Sequence, residues 1–255
     1  MRILYIHVYI IAIFTIVMHI TDFEIKWVNS SKSFHFGLGS QRVNMAYPFK
    51  GPSTMSVSGQ TGAGKTQLIR RLLQNKSDMF DPEPSQVLYC YGVYQKAFDE
   101  MQQEMPFIQF HCGLPTPAIV NEFSHPTDTR VIICDDLMEQ MVKSSDIEAL
   151  FTRHSHHKNL TIIYINQNLY CPGKHSRTIN LNTHYLIIMR NPRDVSTMKT
   201  LGRQLGIGNA LFEAYTDVHK EPFSYLCVDM SPWGQEDHKL RTKIFKDEDT
   251  VIYKV

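Results

Sequence analysis

The sequence lacks an excess of charge of either sign. Its 255 residues include 26 Lys and Arg against 25 Asp and Glu, which gives a formal net charge of +1. Proteins that bind nucleic acid through their overall field are strongly basic, so the composition excludes that class. Any contact with DNA must therefore come from a local group of residues.

Cysteine is also sparse, and the cysteines are not spaced as in a disulfide framework. The five cysteines are odd in number, and Cys90, Cys134 and Cys227 lie inside apolar runs, as reduced core cysteines usually do. This pattern excludes a disulfide framework and a cysteine-based zinc site. It favours a reducing compartment.

Long apolar stretches are absent except for one near the start, residues 3–20. A membrane span needs about 20 apolar residues, and this stretch has 18 with two histidines and a threonine inside it. No small-residue cleavage site follows it, so it is a poor signal peptide. A membrane anchor, an extra β-rich segment and a stretch added by an imperfect gene boundary all remain open. Residues 1–46 are thus predicted to be an N-terminal extension, and residues 47–255 one domain.

From residue 49 onward, short apolar runs alternate with polar segments of helical length, which is typical of a parallel sheet with crossover helices. The fold class is therefore predicted to be α/β. The predicted strands are Thr54–Val57, Gln86–Tyr91, Phe107–His111, Val131–Cys134, Leu160–Ile165, Tyr185–Met189 and Ser224–Val228. The predicted helices are Lys65–Gln74, Gln95–Glu104, Ser145–Arg153, Arg193–Leu205 and Asn209–Thr216.

The stretch "SGQTGAGKT", residues 58–66 and here called the phosphate loop, fits G-x-x-x-x-G-K-[ST] between a predicted strand and a predicted helix. Glycines let backbone amides face phosphate oxygens, and the helix N-terminus adds positive potential. Lys65 is expected to reach the β and γ phosphates and Thr66 to ligate Mg²⁺. The expected ligands are therefore ATP and Mg²⁺. The predicted nucleotide-binding residues are Gly59, Gln60, Thr61, Gly62, Ala63, Gly64, Lys65 and Thr66.

A second element, "RVIICDDL", places Asp135 and Asp136 at the end of an apolar strand. Open α/β sheets bind ligands at this edge, so the pair is predicted to be a Walker B element. Asp135 is expected to hold Mg²⁺ and Asp136 to orient an attacking water. Capping of the following helix is the structural alternative for such aspartates.

A third polar position follows the strand in "NLTIIYINQ", residues 159–167. In additional-strand P-loop ATPases, a polar residue at this place contacts the γ-phosphate or its water. An amide can donate to phosphate and accept from water, so Gln167 is the predicted sensor. Asn166 and Asn168 are the alternatives one residue away, and a plain strand-end glutamine is the structural alternative.

In this order and spacing, the motifs resemble the viral and transposon genome-packaging ATPases of the FtsK and HerA superfamily, in the poxvirus-type branch found also in Polinton elements. The phosphate loop is generic, but three later stretches are specific. These are "LFTRHSHHKNLTIIYINQNLY", "LNTHYLIIMRNPRD" and "LCVDMSPWGQEDHKLRTKIF". The resemblance covers the chain from about residue 47 and implies an additional-strand P-loop fold with a mainly parallel sheet.

The resemblance further implies an ATPase that assembles as a homo-oligomeric ring and moves double-stranded DNA, without reading its sequence, into a capsid. Capsid proteins are then partners, and a host nucleus, viral factory or virion is the location. Members complete each active site with an arginine from the neighbouring subunit. Arg153 is the first candidate for that role, with Arg193 and Arg241 as alternatives. The apolar stretch 3–20 departs from the family pattern and leaves membrane attachment open.

The cluster His154, His156 and His157 raises the alternative of a metal site. Only the first and last are spaced as a zinc pair; the only nearby acid is Glu148, and the nearest following cysteine, Cys171, lies beyond a predicted strand. The resemblance instead makes this loop part of a subunit interface or of the approach to the γ-phosphate.

The alternative function is a P-loop NTPase that is not a motor, such as a small-molecule kinase or a regulatory NTPase. A kinase lid, a guanine-reading motif and an ABC-type signature are not legible in the sequence.

Overall fold

Strands and helices alternate along most of the chain. The computed structural model describes residues 39–43, 47–150, 158–193 and 195–255. The strands are β1 Ser40–Val43, β2 Phe49–Lys50, β3 Thr54–Ser58, β4 Phe80–Asp81, β5 Gln86–Tyr91, β6 Ile108–Cys112, β7 Arg130–Asp135, β8 Leu160–Asn166, β9 Tyr185–Met189, β10 Tyr225–Asp229, β11 Leu240–Thr242 and β12 Thr250–Tyr253. The helices are α1 Lys65–Gln74, α2 Lys76–Met79, α3 Ala97–Glu104, α4 Pro117–Phe123, α5 Met138–Met141, α6 Ser145–Ala149, α7 Ser176–Leu181, α8 Val195–Gln204 and α9 Ala210–Val218, with a 3₁₀ turn at Glu236–His238.

A ten-stranded sheet organises the fold, in the order β1-β12-β11-β10-β9-β3-β8-β7-β5-β6. The six strands from β9 to β6 pair in parallel. The four strands from β1 to β10 pair in an antiparallel manner, and β10 joins β9 antiparallel as well. The β3 strand lies next to β8, and β8 lies next to β7, which is the additional-strand arrangement of P-loop NTPases. The predicted α/β class with a mainly parallel sheet is confirmed.

Helices cover the parallel sheet on both faces, which explains why its central strands read as continuous apolar runs. Every residue of β3, β8 and β9 is buried, whereas the edge strand β1 is exposed along most of its length. One core cluster joins one sheet face to α1 and α3, and two others join the opposite face to α5, α7, α8 and α9. Each fully buried Leu or Ile stabilises the fold by about 1.5–3 kcal/mol.

The predicted strands agree with the structure to within one residue at either end. The predicted helices agree to within two residues, except that the end of Ser145–Arg153 lies outside the described residues. The antiparallel strands β1, β11 and β12 were not predicted, nor was the antiparallel direction of β10. Cys90, Cys134 and Cys227 are buried and unpaired, as predicted for core cysteines.

The sequence of α1, the helix that follows the phosphate loop, explains where the helix begins and ends and which face it buries. In α1, Leu68, Ile69, Leu72 and Leu73 share one buried face, as helical periodicity requires. Gly64 precedes the helix with φ +97°, a conformation that glycine adopts without steric strain. Asn75 ends it, with its side-chain Nδ2 donating to the Arg71 carbonyl at 2.8 Å.

The antiparallel extension brings the first described strand against the last. Ser40 of β1 lies opposite Tyr253 of β12, and the Lys254 amide donates to the Gly39 carbonyl at 2.8 Å. In the described part of the chain, no helix is long and apolar enough to span a membrane. The stretch 3–20, in which a membrane anchor was considered, lies outside the described residues.

Candidate active site

The phosphate loop connects β3 to α1 at the carboxyl edge of the parallel strands. Its first amides are tied to the neighbouring strands: Gly59 N donates to the Asn166 carbonyl at 3.3 Å and Gln60 N to the Arg190 carbonyl at 3.4 Å. Gly62 and Gly64 have φ of +82° and +97°. Glycine is the residue that adopts such angles readily, so these positions let the loop turn as its motif predicts.

Lys65 is held inside the phosphate loop. Its Nζ donates to the Gly59 carbonyl at 2.6 Å and to the Gln60 carbonyl at 3.0 Å. Burial lowers the pKa of Lys65, while the carboxylates of Asp135 and Asp136 act in the opposite direction. The ammonium is therefore positioned between the loop and the two aspartates, where a bound triphosphate would place its terminal phosphates.

Asp135 is the last residue of β7 and is 6% exposed. Tyr89, from the adjacent strand β5, donates its hydroxyl to Asp135 Oδ2 at 2.7 Å. Burial raises the pKa of the Tyr89 phenol well above its usual range, so it remains a hydrogen-bond donor. Burial also raises the pKa of Asp135, which the Tyr89 hydrogen bond partly offsets.

Asp136 differs from its neighbour because it is exposed and has φ +57°. Asp tolerates this left-handed region better than most residues do. Its amide donates to the Ile165 carbonyl at 3.3 Å, which fixes the turn after β7 against β8. The turn also packs tightly on Gly92, where an added Cβ would lie 2.9 Å from the Asp136 carbonyl oxygen. The two aspartates therefore have different environments, one buried and one facing solvent.

The polar residue that ends β8 is Asn166, because the strand runs one residue further than predicted. Asn166 is 3% exposed, and within the described part of the chain neither its Oδ1 nor its Nδ2 has a hydrogen-bond partner. An unpaired buried amide costs about 1–3 kcal/mol. Gln167, the predicted sensor, follows it and is exposed.

A cavity of about 460 Å³, here called the nucleotide cleft, unites these groups. Its lining includes the predicted residues Thr61, Gly62, Gly64, Lys65, Thr66, Asp135, Asp136 and Gln167. It also includes Asn166, the alternative to Gln167 as sensor, together with Gln95 and Phe223, which the sequence alone did not assign. The structure thus brings together residues from the three segments that the motifs placed at one sheet edge, namely the phosphate loop, the end of β7 and the end of β8.

The donor set of the nucleotide cleft fits the predicted ligands. Thr66 and Asp135 supply hard oxygen donors of the kind that Mg²⁺ prefers. The unpaired amide of Asn166 can donate to a phosphate oxygen and accept from water.

A second cavity of about 490 Å³, the side cleft, lies against the start of the phosphate loop. It is lined by Gln60, Thr61, Gln167, Asn168, Tyr170, Asn191, Arg193 and Thr197. Arg193 is exposed. Because it lines the side cleft together with Gln60 and Thr61, it lies beside the phosphate loop of its own chain. Arg241, by contrast, is 4% exposed and pairs with Asp229 at 3.1 Å, so its guanidinium is committed within the core.

Two sequence predictions fall outside the described residues, namely Arg153 and the histidines at 154, 156 and 157. Among the residues that are described, no cluster of three or more His, Cys, Asp or Glu side chains is placed to hold a metal. The trans-acting role of Arg153 and the zinc alternative stay predictions.

No protein-family model matches the sequence, and no curated protein matches it. Among solved structures, it is similar to the genome packaging NTPase B204 from Sulfolobus turreted icosahedral virus 2 in complex with ATP-gammaS. That similarity has a TM-score of 0.48 and 12% identity, and it covers 70% of this chain and 92% of B204.

The cytoplasmic domain of the Thermomonospora curvata type VII secretion ATPase EccC is also similar, with a TM-score of 0.48 and 12% identity. The match covers 79% of this chain and 25% of EccC. At these values the likeness carries no functional argument, and the function proposed below depends on the residues of this chain.

Proposed function

We propose that this chain hydrolyses ATP and uses the energy to move double-stranded DNA into a capsid. The observation that carries the hydrolytic part is the nucleotide cleft, in which Lys65, Thr66, Asp135, Asp136 and Asn166 converge. A cleft that only binds a nucleotide needs no more than the phosphate loop. The paired aspartates and the buried amide beside it are the groups that hydrolysis needs in addition.

Each side chain has a distinct role in this proposal. The loop amides and Lys65 hold the phosphates, and Thr66 and Asp135 hold Mg²⁺, with Tyr89 fixing one Asp135 oxygen. Bound Mg²⁺ supplies charge neutralisation at the phosphate oxygens. Asp136, exposed in the cleft, orients and polarises the attacking water.

The sensor role is shared between the two residues at the end of β8. Asn166 is the buried contact to the γ-phosphate or its water, because its amide has no hydrogen-bond partner among the described residues. Gln167 lines both the nucleotide cleft and the side cleft, so it connects the γ-phosphate region to the surface. The proposed catalytic residues are therefore Lys65, Asp136, Gln167 and Asn166, with Arg153 acting from the next subunit.

The motor part of the proposal comes from the sequence motifs that resemble packaging ATPases. A homo-oligomeric ring would grip the phosphate backbone without reading bases, through basic groups that face its pore. The near-neutral composition fits this local mode of contact. Capsid proteins are the expected docking partners of such a ring.

The deciding experiment measures the ATPase rate with and without long double-stranded DNA, together with the native mass of the assembly. We expect an oligomer whose hydrolysis rises on addition of DNA. Lys65→Ala removes phosphate binding, and Asp136→Asn lowers hydrolysis by about 10²–10⁴-fold while ATP still binds. A monomer that hydrolyses ATP at the same rate with and without DNA would show a non-motor NTPase instead.

A further inference from the structure

The sheet order assigns a direction to a nucleotide bound in the nucleotide cleft. The strand β3, which leads into the phosphate loop, has β8 and β7 on one side and β9 and β10 on the other. Asp135 and Asp136 follow β7, so the γ-phosphate and its Mg²⁺ belong on that side. The nucleoside end of the ligand must then extend toward β9 and β10.

Phe223 stands at that opposite end of the nucleotide cleft. It lies in the turn between α9 and β10, and its ring carbon Cδ1 is 3.4 Å from the position of a Cβ added to Gly64. Its side chain lines the same cavity as Lys65, Asp135 and Asp136. A flat apolar surface therefore faces the site on the side where the base must lie.

Folding alone does not explain this phenylalanine. Phe223 is 71% exposed, so its ring buries little apolar surface within the chain. Its φ is +56°, a region that is a genuine outlier for a bulky residue. Strained backbone persists where the surroundings enforce it, and such residues cluster at ligand sites.

Contacts on both sides of Phe223 connect its turn to the rest of the fold. Ser224 Oγ donates to the Glu221 carbonyl at 2.7 Å, which closes the turn. Glu221 also forms an ion pair with Lys243 at 3.2 Å, and Tyr225 begins the buried strand β10 directly afterwards. The ring is thus presented from a turn that is fixed at both ends.

We propose that the Phe223 ring stacks on the base of the bound nucleoside triphosphate and makes the site favour a nucleotide over a bare polyphosphate. Base–aromatic stacking is a contact that any base can make, because every base has a π face. This inference rests on the proposed function, since it requires a triphosphate in the phosphate loop.

The test compares ATP-gammaS with inorganic tripolyphosphate, each titrated calorimetrically with Mg²⁺ into the full chain. We expect wild type to bind ATP-gammaS more tightly than tripolyphosphate. Phe223→Ala should weaken ATP-gammaS binding about tenfold, the size of one base–aromatic stack, and leave tripolyphosphate binding unchanged. Phe223→Trp should retain the preference.

Two further variants separate this role from a structural one. Phe223→Gly should raise the Tm of the ligand-free chain by about 2–4 °C, because glycine accepts the left-handed backbone. The same variant should weaken ATP-gammaS binding as Phe223→Ala does. Leu181→Ala removes an equally exposed apolar side chain, 74% exposed on α7, and should change neither ligand's affinity.

The outcomes are distinguishable. If Phe223→Ala and wild type prefer ATP-gammaS over tripolyphosphate equally while Lys65→Ala binds neither, the stacking inference is wrong and the proposed function stands. If wild type binds neither ligand, the proposed function fails and the stacking inference fails with it.

Discussion

Asn166 combines two properties that seldom occur together in a folded chain. It is 3% exposed, and both polar atoms of its side chain lack hydrogen-bond partners among the residues that the structure describes. Buried amides are normally hydrogen-bonded, because leaving one unpaired costs about 1–3 kcal/mol. The fold retains this unfavourable group at the wall of the nucleotide cleft, where a phosphate oxygen or a water can satisfy it.

Replacing Asn166 with Leu, which has a similar size, should therefore separate stability from catalysis. We expect the ligand-free variant to be more stable by about 1 kcal/mol, because the unpaired amide is gone. Hydrolysis should fall by about 10²-fold, because a preorganised donor is lost. Urea unfolding and steady-state ATPase rates check the two expectations.

Gln167→Leu is the matched control for that substitution. Gln167 is exposed, so its replacement should leave the free energy of unfolding within about 0.5 kcal/mol of wild type. If Asn166→Leu destabilises the chain or hydrolyses ATP normally, the sensor role of Asn166 is wrong.

The buried imidazole of His219 makes the stability of the fold depend on pH. Its ring packs on Tyr215 at 4.2 Å between centroids, and its buried Nε2 has no hydrogen-bond partner in the ranges that the structure describes. Burial lowers the pKa of His219, and the positive charge of Arg190 acts in the same direction. In the unfolded chain the imidazole has its ordinary pKa of about 6.5, so the unfolded state takes up the proton first.

Stability from the neutral His219 ring is thus complete above about pH 6.5 and is lost as the pH falls toward the lower folded pKa. We expect wild type to lose more unfolding free energy than His219→Gln between pH 7.5 and pH 5. Denaturant unfolding at both pH values measures this difference. His111→Gln, at a partly exposed position of β6, is the control for loss of an imidazole; equal slopes for wild type and His219→Gln would contradict the expectation.

Sequence motifs identify some residues of the nucleotide cleft and not others. Lys65, Thr66 and Asp135 were assigned to the site from local motifs, and the structure places all three along the nucleotide cleft, while their roles stay predictions. For the polar residue that follows β8, the sequence indicated Gln167 with Asn166 and Asn168 as alternatives, since the exact end of a strand follows from pairing with its neighbours; the strand ends at Asn166. Tyr89 and Phe223 were missed, because only the tertiary fold brings them to the cleft.

At the scale of elements, the phosphate loop depends on the strand beside it. A Cβ on Gly59 would lie 2.8 Å from Met189 Cβ, so the loop start and β9 are in contact. Gly62 has open space around it, although its φ of +82° disfavours other residues. The two glycines thus serve different purposes, one for close approach and one for backbone conformation.

Gly59→Ala and Gly62→Ala should therefore weaken the protein by different routes. Gly59→Ala should lower the free energy of unfolding by about 1–3 kcal/mol, because β9 must shift. Gly62→Ala should lower it by about 1 kcal/mol through backbone strain alone. Chemical denaturation of the two variants side by side measures this contrast. A smaller loss for Gly59→Ala than for Gly62→Ala would contradict the packing argument.

The elements that sequence reasoning found are those with continuous apolar runs. Buried parallel strands such as β7 and β8 are apolar throughout, so periodicity identifies them. The strand β11 contains the buried Arg241, whose charge is neutralised by Asp229 on β10. Because a charged residue interrupts the apolar run, hydrophobic periodicity does not identify this strand. Helix α4 was not predicted because it is only seven residues long. Its start signals, the cap residue Thr116 and Pro117 in the first turn, are present in the sequence.

At the scale of the whole molecule, the remaining question is which arginine completes the site of a neighbouring subunit. Arg241 is committed to Asp229 in the core, and Arg193 lies beside its own phosphate loop. Arg153, which is outside the described residues, stays the prediction. Mixed assemblies can test it because each interface combines a cleft from one subunit with an arginine from the next.

Mixing Arg153→Ala subunits with Asp136→Asn subunits should restore part of the ATPase activity that each variant lacks alone. Some interfaces then pair an intact Asp136 with an intact Arg153. Mixing Arg153→Ala with a chain that carries both substitutions should restore nothing, because no interface is intact. An absence of recovery at every mixing ratio in the first experiment would contradict the trans role.

The pairing of β1 with β12 has a consequence for engineering. Because Gly39 and Lys254 are hydrogen-bonded neighbours, a short hairpin could join residue 255 to residue 39 in a variant from which residues 1–38 are removed. The chain could then be opened in the loop between β6 and α4, at residues 113–116, which lies at the other end of the strand order. Such a circular permutant would carry fluorophores at new termini close to the far edge of the sheet, leaving the β1 edge free of labels.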